Sequence, residues 1–219
     1  EMTLNLVRLV KRSTRWLLRN RRHQLNPSGL IEEYQHGVTE LARALPTLLR
    51  GPALTLFQQQ RDHYCEAGVP ADLAATVAGG LQAATGLAIQ NAAAQTGSPL
   101  MEVAELYFEL GERLELDWFG SQILASNVDN EWQAMARETY LEDLQWQQCT
   151  LTMGVLRRKH EGLDVAGCLS RWEEEEAQLL ARWRDMLGDL HATSAPDFAM
   201  FAVANRELLD LAQSSRRVL

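Results

Sequence analysis

From Leu100 to Ala195 the chain contains no proline, and along that whole stretch apolar side chains recur at spacings of three and four. Without proline nothing breaks the i to i−4 hydrogen-bond ladder, and apolar positions at that spacing line one face of a helix. No run alternates apolar and polar residues long enough to predict a strand. The six prolines, Pro27, Pro46, Pro52, Pro70, Pro99 and Pro196, all fall between periodic segments, where a residue that disfavours helix just before it marks a boundary. The sequence therefore predicts an all-α chain, folded as an irregular bundle of about nine or ten helices.

The first predicted helix, over 3–23, places Leu6, Leu9, Val10, Trp16 and Leu17 on one face and Arg8, Arg12, Arg15, Arg19 and Arg22 on the other. Helices over 29–45 and 52–67 follow, and the Ala-rich stretch 70–95, with Gly79, Gly80 and Gly86, predicts two close-packed helices. After Gly97-Ser98-Pro99 come helices over 99–114, 117–126, 130–160, 164–191 and 196–214. The helix over 130–160 carries two apolar stripes, Trp132/Met135/Thr139/Trp146/Met153 and Tyr140/Leu144/Leu151/Val155, which predicts a central helix buried on two sides. Gly162 is placed to cap it, and a Ser194/Asp197 pair to open the last helix. One domain over 1–219, or two packed halves at 1–96 and 97–219, suits this pattern.

With 219 residues, 46% of them hydrophobic, the chain can bury a core large enough to offset the entropy of ordering, so a disordered tail is excluded. No apolar run reaches the roughly 18–20 residues of a membrane span, and no leader pattern opens the sequence; the expectation is a cytoplasmic location without a membrane partner. Cys65, Cys149 and Cys168 are an odd number without close spacing and are expected as small core residues.

The net charge of −8 is unevenly distributed. Seven of the 21 basic residues lie within 1–22, opposed there only by Glu1, so the remainder of the chain carries −14. A basic helix on an acidic body points first to contact with protein, next to a plain solvated face, and last to nucleic acid or lipid. Lysine is scarce: Lys11 and Lys159 stand against 19 arginines.

Motifs for chemistry are sparse. There is no Gly-x-Gly-x-x-Gly and no Walker-type loop. Glu33-x-x-His36 is half of a di-iron pattern whose second copy is missing, so a solvent-facing pair is expected. His23, His63, His160 and His191 stand alone near predicted helix ends, as capping or surface residues. The like-charged stripe Glu102/Glu105/Glu109/Glu112 is answered locally by Arg113 and otherwise is either a solvated face or a surface for basic groups elsewhere. Glu176 falls inside an apolar stripe, which predicts an arginine partner or an escape to solvent. On these residues alone, a self-contained helical module for a small ligand or metal remains the alternative to a scaffold.

Two long segments carry a resemblance. Val103 to Phe119, with Tyr107-Phe108-Glu109-Leu110-Gly111-Glu112-Arg113-Leu114 and Leu116-Asp117-Trp118, resembles a signature near the C-terminus of the very large bacterial NAD-specific glutamate dehydrogenases. Thr14-Arg15-Trp16-Leu17-Leu18-Arg19-Asn20-Arg21-Arg22 is similar to the segment that precedes it in that family, and Ala67-Gly68-Val69-Pro70 and Trp132 to Arg137 also fit. Phe119 stands where the family often has Leu. The resemblance covers about residues 7–158 and fades beyond them.

It implies a C-terminal helical piece of an enzyme that converts L-glutamate, NAD and water to 2-oxoglutarate, ammonia and NADH; a start at Glu1 with Met second agrees with a cut from something longer. The catalytic lysine and the dinucleotide-binding motif of such chemistry are not in this sequence, so no catalytic, cofactor-binding or metal residue is carried over, and NAD belongs to the parent enzyme. The implied partners are the rest of the same polypeptide, with its catalytic domain, and sister subunits of a homo-oligomer. Trp16, Tyr107, Gly111, Glu112, Arg113, Asp117 and Trp118 are then structural signature residues, and Arg8, Arg12, Arg15, Arg19 and Arg22 the candidate contact surface.

Overall fold

The computed structural model describes residues 44, 46–49, 51–79 and 86–216. Within them every regular element is helical, as the periodicity requires. In chain order the helices are α1 (Gly51–Glu66), α2 (Ala71–Ala78), α3 (Gly86–Thr96), α4 (Leu100–Arg113), α5 (Leu116–Ala125), α6 (Glu131–Leu156), a 3-10 turn (Arg157–Glu161), α7 (Val165–Glu175), α8 (Ala177–Ala192) and α9 (Phe198–Ser215). Trp16, the basic face Arg8 to Arg22, and Glu33-x-x-His36 lie outside the described residues.

The chain divides into two compact units, Glu1–Asn91 and Ala92–Leu219. In the first, α2 packs on α1. Phe57, Tyr64, Ala74 and Val77 are buried there. In the second, α6 packs with α4, α5, α7 and α9, so it is the central helix. Leu106, Leu110, Phe119, Trp172, Trp183, Phe201 and Leu208 are buried in this unit.

Helix ends follow local chemistry. Pro70 and Pro99 are the residues just before α2 and α4, in extended backbone geometry. Side-chain oxygens of Asn130, Asp164 and Asp197 accept from the third residue of α6, α7 and α9, satisfying amides that have no partner inside the helix. Gly162 is left-handed at φ 79°, as its capping position requires.

Four expectations are corrected. The helix expected over 164–191 is two helices that meet at Glu176, whose backbone sits at φ −97°, ψ 13°. Glu176 N–H donates to Trp172 O, closing the first helix, and Leu180 N–H donates to Glu176 O, opening the second, and neither proline nor glycine announces the break. Asp197 itself caps the last helix, in place of a Ser194/Asp197 box. Cys65 is exposed, whereas Cys149 and Cys168 are buried as expected. The Trp132/Met135/Thr139/Trp146/Met153 stripe of α6 is not buried at its start: Trp132 and Met135 are 79% and 62% exposed.

Candidate interaction site around the signature helix

The signature occupies α4, the turn after it and the first residues of α5. In α4, Val103, Leu106, Tyr107 and Leu110 face the core at helical spacing. Gly111 continues that face, and a Cβ there would come within 2.6 Å of Gln148 Nε2. That nitrogen donates to the Tyr107 carbonyl oxygen at 2.8 Å. The glycine thus leaves room for a buried amide of α6 to bind the backbone of α4.

On the outer side, Arg113 donates from Nε and Nη2 to Glu109 Oε1 at 3.1 and 2.8 Å and from Nη1 to Glu173 Oε1 at 3.0 Å. It therefore answers Glu109, as expected, and also joins α4 to α7. These hydrogen bonds to Glu109, set against partial burial and supplemented by the charges of Glu109 and Glu173, hold the guanidinium above its ordinary pKa. Lys159 Nζ donates to Glu102 Oε1 at 2.7 Å, so the acidic stripe does meet a basic group from another element at one end. Glu105 and Glu112 are exposed. The one described lysine is thus held in an ion pair.

After α4 the chain turns through Glu115, at φ 52° the single described non-glycine residue with positive φ. The turn exposes the Leu114 carbonyl, which accepts from Trp183 Nε1 at 3.1 Å. It also brings Glu115 Oε2 to 2.8 Å from His191 Nε2, while the His191 ring stacks on Trp118 at 3.7 Å between centroids. Asp117, next in the signature, is exposed by area, yet packing around its carboxyl raises its pKa. His191 sits in the last turn of α8, in the surface role expected of it, and it ties the signature to that helix.

The sequence reading missed a set of buried polar contacts on the inner side. Gln147 Nε2 donates to Asn205 O and Oδ1 at 3.3 and 3.2 Å, and Trp172 Nε1 donates to Ser215 Oγ at 2.8 Å. Arg158, 1% exposed, donates to Gly154 O at 2.6 Å and from Nε to Glu175 Oε2 at 3.0 Å. The available signal was the cluster of Gln147, Gln148, Thr150 and Thr152 between two apolar stripes, where polar groups need partners. Glu176 is buried, and no arginine pairs with it among the described residues. Burial pushes the Cys149 thiol up to about 12, so it is a packing residue, not a nucleophile.

These groups fasten α4, α6, α7, α8 and α9 to one another. Among the described residues no three His, Cys, Asp or Glu side chains converge as a metal site. A pocket of about 130 Å³, lined by Gln95, Thr96, Met153, Leu156 and Arg157, is well below the roughly 300–1,000 Å³ of ordinary ligand pockets. No described helix is long and apolar enough to cross a membrane.

Comparison with known proteins gives a consistent set of relatives. Residues 1–210 match the family model described as glutamate dehydrogenase, C-terminal, so the similarity runs well past the region carried by the motifs. The NAD-specific glutamate dehydrogenase of Pseudomonas aeruginosa is 43% identical over 211 residues, which is 96% of this chain and 13% of that protein. That of Halomonas elongata is 38% identical over 98% of the chain and 13% of its own length, and that of Mycobacterium tuberculosis 29% identical over 99% and 13%. The chain thus spans about 13% of the length of these curated relatives.

Proposed function

Because the chain belongs to the glutamate dehydrogenase C-terminal family, we propose that it is a helical scaffold and assembly domain of an NAD-dependent glutamate dehydrogenase and does no chemistry itself. The parent enzyme would oxidise L-glutamate with NAD and water to 2-oxoglutarate, ammonia and NADH, in the cytoplasm and as a homo-oligomer. The observation that carries this reading is how polar groups on and around the signature helix are used. Arg113 bridges two helices, the glycine at 111 admits Gln148 to the Tyr107 carbonyl, and Lys159 is paired with Glu102. Each of these groups is engaged within the fold, and none is offered to a substrate.

Docking is then the function left to the surface, and the basic face Arg8/Arg12/Arg15/Arg19/Arg22 is proposed as one contact with the catalytic region or a sister subunit. The test is glutamate-dependent NAD reduction by the 219-residue chain, by the rest of the enzyme, and by the two mixed. No reduction by the chain alone and recovery on mixing are expected; reduction by the chain alone overturns the reading. Reversing the charge of Arg15 and Arg19 in the intact enzyme should weaken assembly in analytical ultracentrifugation.

A further inference from the structure

The start of α6 presents an apolar surface that the other described residues do not cover. Trp132 is 79% and Met135 62% exposed, and Leu124, near the end of α5, is 57% exposed. Trp132 and Met135 are three residues apart and share a helix face. The same stripe continues through Thr139 to Trp146, which is half-buried and has the Arg216 guanidinium 5.9 Å from its ring.

This is not a frayed helix end. Asn130 Oδ1 accepts from Gln133 N–H at 3.0 Å, and Gln133 Oε1 accepts in return from Asp129 N–H at 2.7 Å. Arg137 Nη1 donates back to Ser126 O at 3.4 Å, fastening the start of α6 to the residue that ends α5. A tryptophan held on a pinned turn loses little further freedom on binding, and exposed aromatic anchors of this kind supply much of the energy of protein contacts.

Charge selects the partner. Asp129, Glu131 and Glu138 are all exposed beside the stripe, and the one base of this stretch, Arg137, is turned to Ser126. A second copy of the stripe would set these carboxylates against one another, whereas an apolar face bordered by Arg or Lys would pair with them. The relatives supply a candidate for such a face, since about 87% of their length lies outside the region this chain matches at 13%.

We infer that Trp132, Met135 and Leu124 dock this domain onto the rest of the longer polypeptide, against an apolar helix face with a basic border. The inference rests on the reading of the chain as a docked, non-catalytic domain and adds the surface that does the docking. It is tested in the intact enzyme with a photo-crosslinking amino acid in place of Trp132, and separately of Arg19. The exposure of Trp132 means its replacement leaves the core untouched.

Adducts from position 132 to peptides outside residues 1–219 are expected. In parallel, the double variant Trp132→Glu/Met135→Glu should expose the domain to limited proteolysis about tenfold faster, the scale of losing a central aromatic contact. Adducts from position 132 to another copy of residues 1–219, or none, overturn the inference. If position 19 still gives adducts outside the segment in that case, the docked-domain reading stands without this surface; if neither position does, both fall.

Discussion

Gly111 and Gln148 meet so closely that a methyl group on the first would lie 2.6 Å from the amide nitrogen of the second. The same nitrogen is spent on the Tyr107 carbonyl, 2.8 Å away. Alanine at 111 would gain about 1 kcal/mol of helix propensity. The flexible amide can swing aside, so the direct clash is small, but its buried NH2 group then loses its partner at about 1–3 kcal/mol. Gly111→Ala is therefore expected to destabilise the 219-residue chain by roughly 1 kcal/mol in urea unfolding. In a double-mutant cycle with Gln148→Ala the cost should be non-additive; additive costs would show that the amide is not the cause.

Gly154 provides the contrast. A Cβ there would sit 2.8 Å from the Ser215 carbonyl oxygen and 2.9 Å from its Cβ. Backbone cannot rotate out of the way, so α6 and α9 would have to separate. Gly154→Ala should cost more than Gly111→Ala, about 2–3 kcal/mol after the propensity gain. Equal midpoints for the two variants would refute the distinction.

Ser215 also completes the buried indole of Trp172, accepting at 2.8 Å and donating on to Leu211 O at 2.9 Å. Ser215→Ala removes the acceptor and leaves Trp172 Nε1 buried without a partner, for which about 1–3 kcal/mol is expected. Trp172→Phe on the alanine background should recover part of that loss, because the orphaned donor is then gone.

The fold class was legible because helical periodicity and proline placement depend only on local sequence, and Gly162 announces a helix end by its own chemistry. The junction at Glu176 was not, since its residues are helix formers and no proline or glycine marks it. The stripe from Trp132 failed for a related reason: periodicity says which residues share a face but not whether anything covers it. Within the site, Arg113 with Glu109 could be read from their spacing of four, whereas Glu173, Lys159 and His191 reach their partners across distant sequence.

Glu115 carries the left-handed turn between α4 and α5 at φ 52°, a conformation that costs a side-chain-bearing residue about 1 kcal/mol and glycine little. Its contact with His191 is between half-exposed side chains and contributes a few tenths to 1 kcal/mol. The two nearly cancel, so Glu115→Gly should leave the melting temperature within a few degrees of wild type. Glu115→Val loses the contact and adds strain from a branched side chain, and should melt clearly lower. If the glycine variant melts as low as the valine one, the contact with His191 outweighs the strain.

Glu175 links stability to pH. Partial burial alone would raise its carboxyl, but hydrogen bonds and charge from Arg158 and then Arg171 outweigh that and hold it below its ordinary 4.5. The unfolded chain therefore binds a proton at a pH where the folded chain does not, so this group adds stability that is complete above pH 4.5 and is lost as pH falls through the lower folded value. Removing the carboxylate also strands Arg158, 1% exposed, with the Gly154 carbonyl as its remaining partner. Glu175→Gln is expected to cost about 2–3 kcal/mol at pH 7 and to flatten the acid limb of the stability curve below pH 4.5. Arg171→Ala, at an exposed side chain, should cost under about 1 kcal/mol and keep most of the acid dependence. A Glu175→Gln profile parallel to wild type at every pH would show that the carboxylate titrates alike in the folded and unfolded chain.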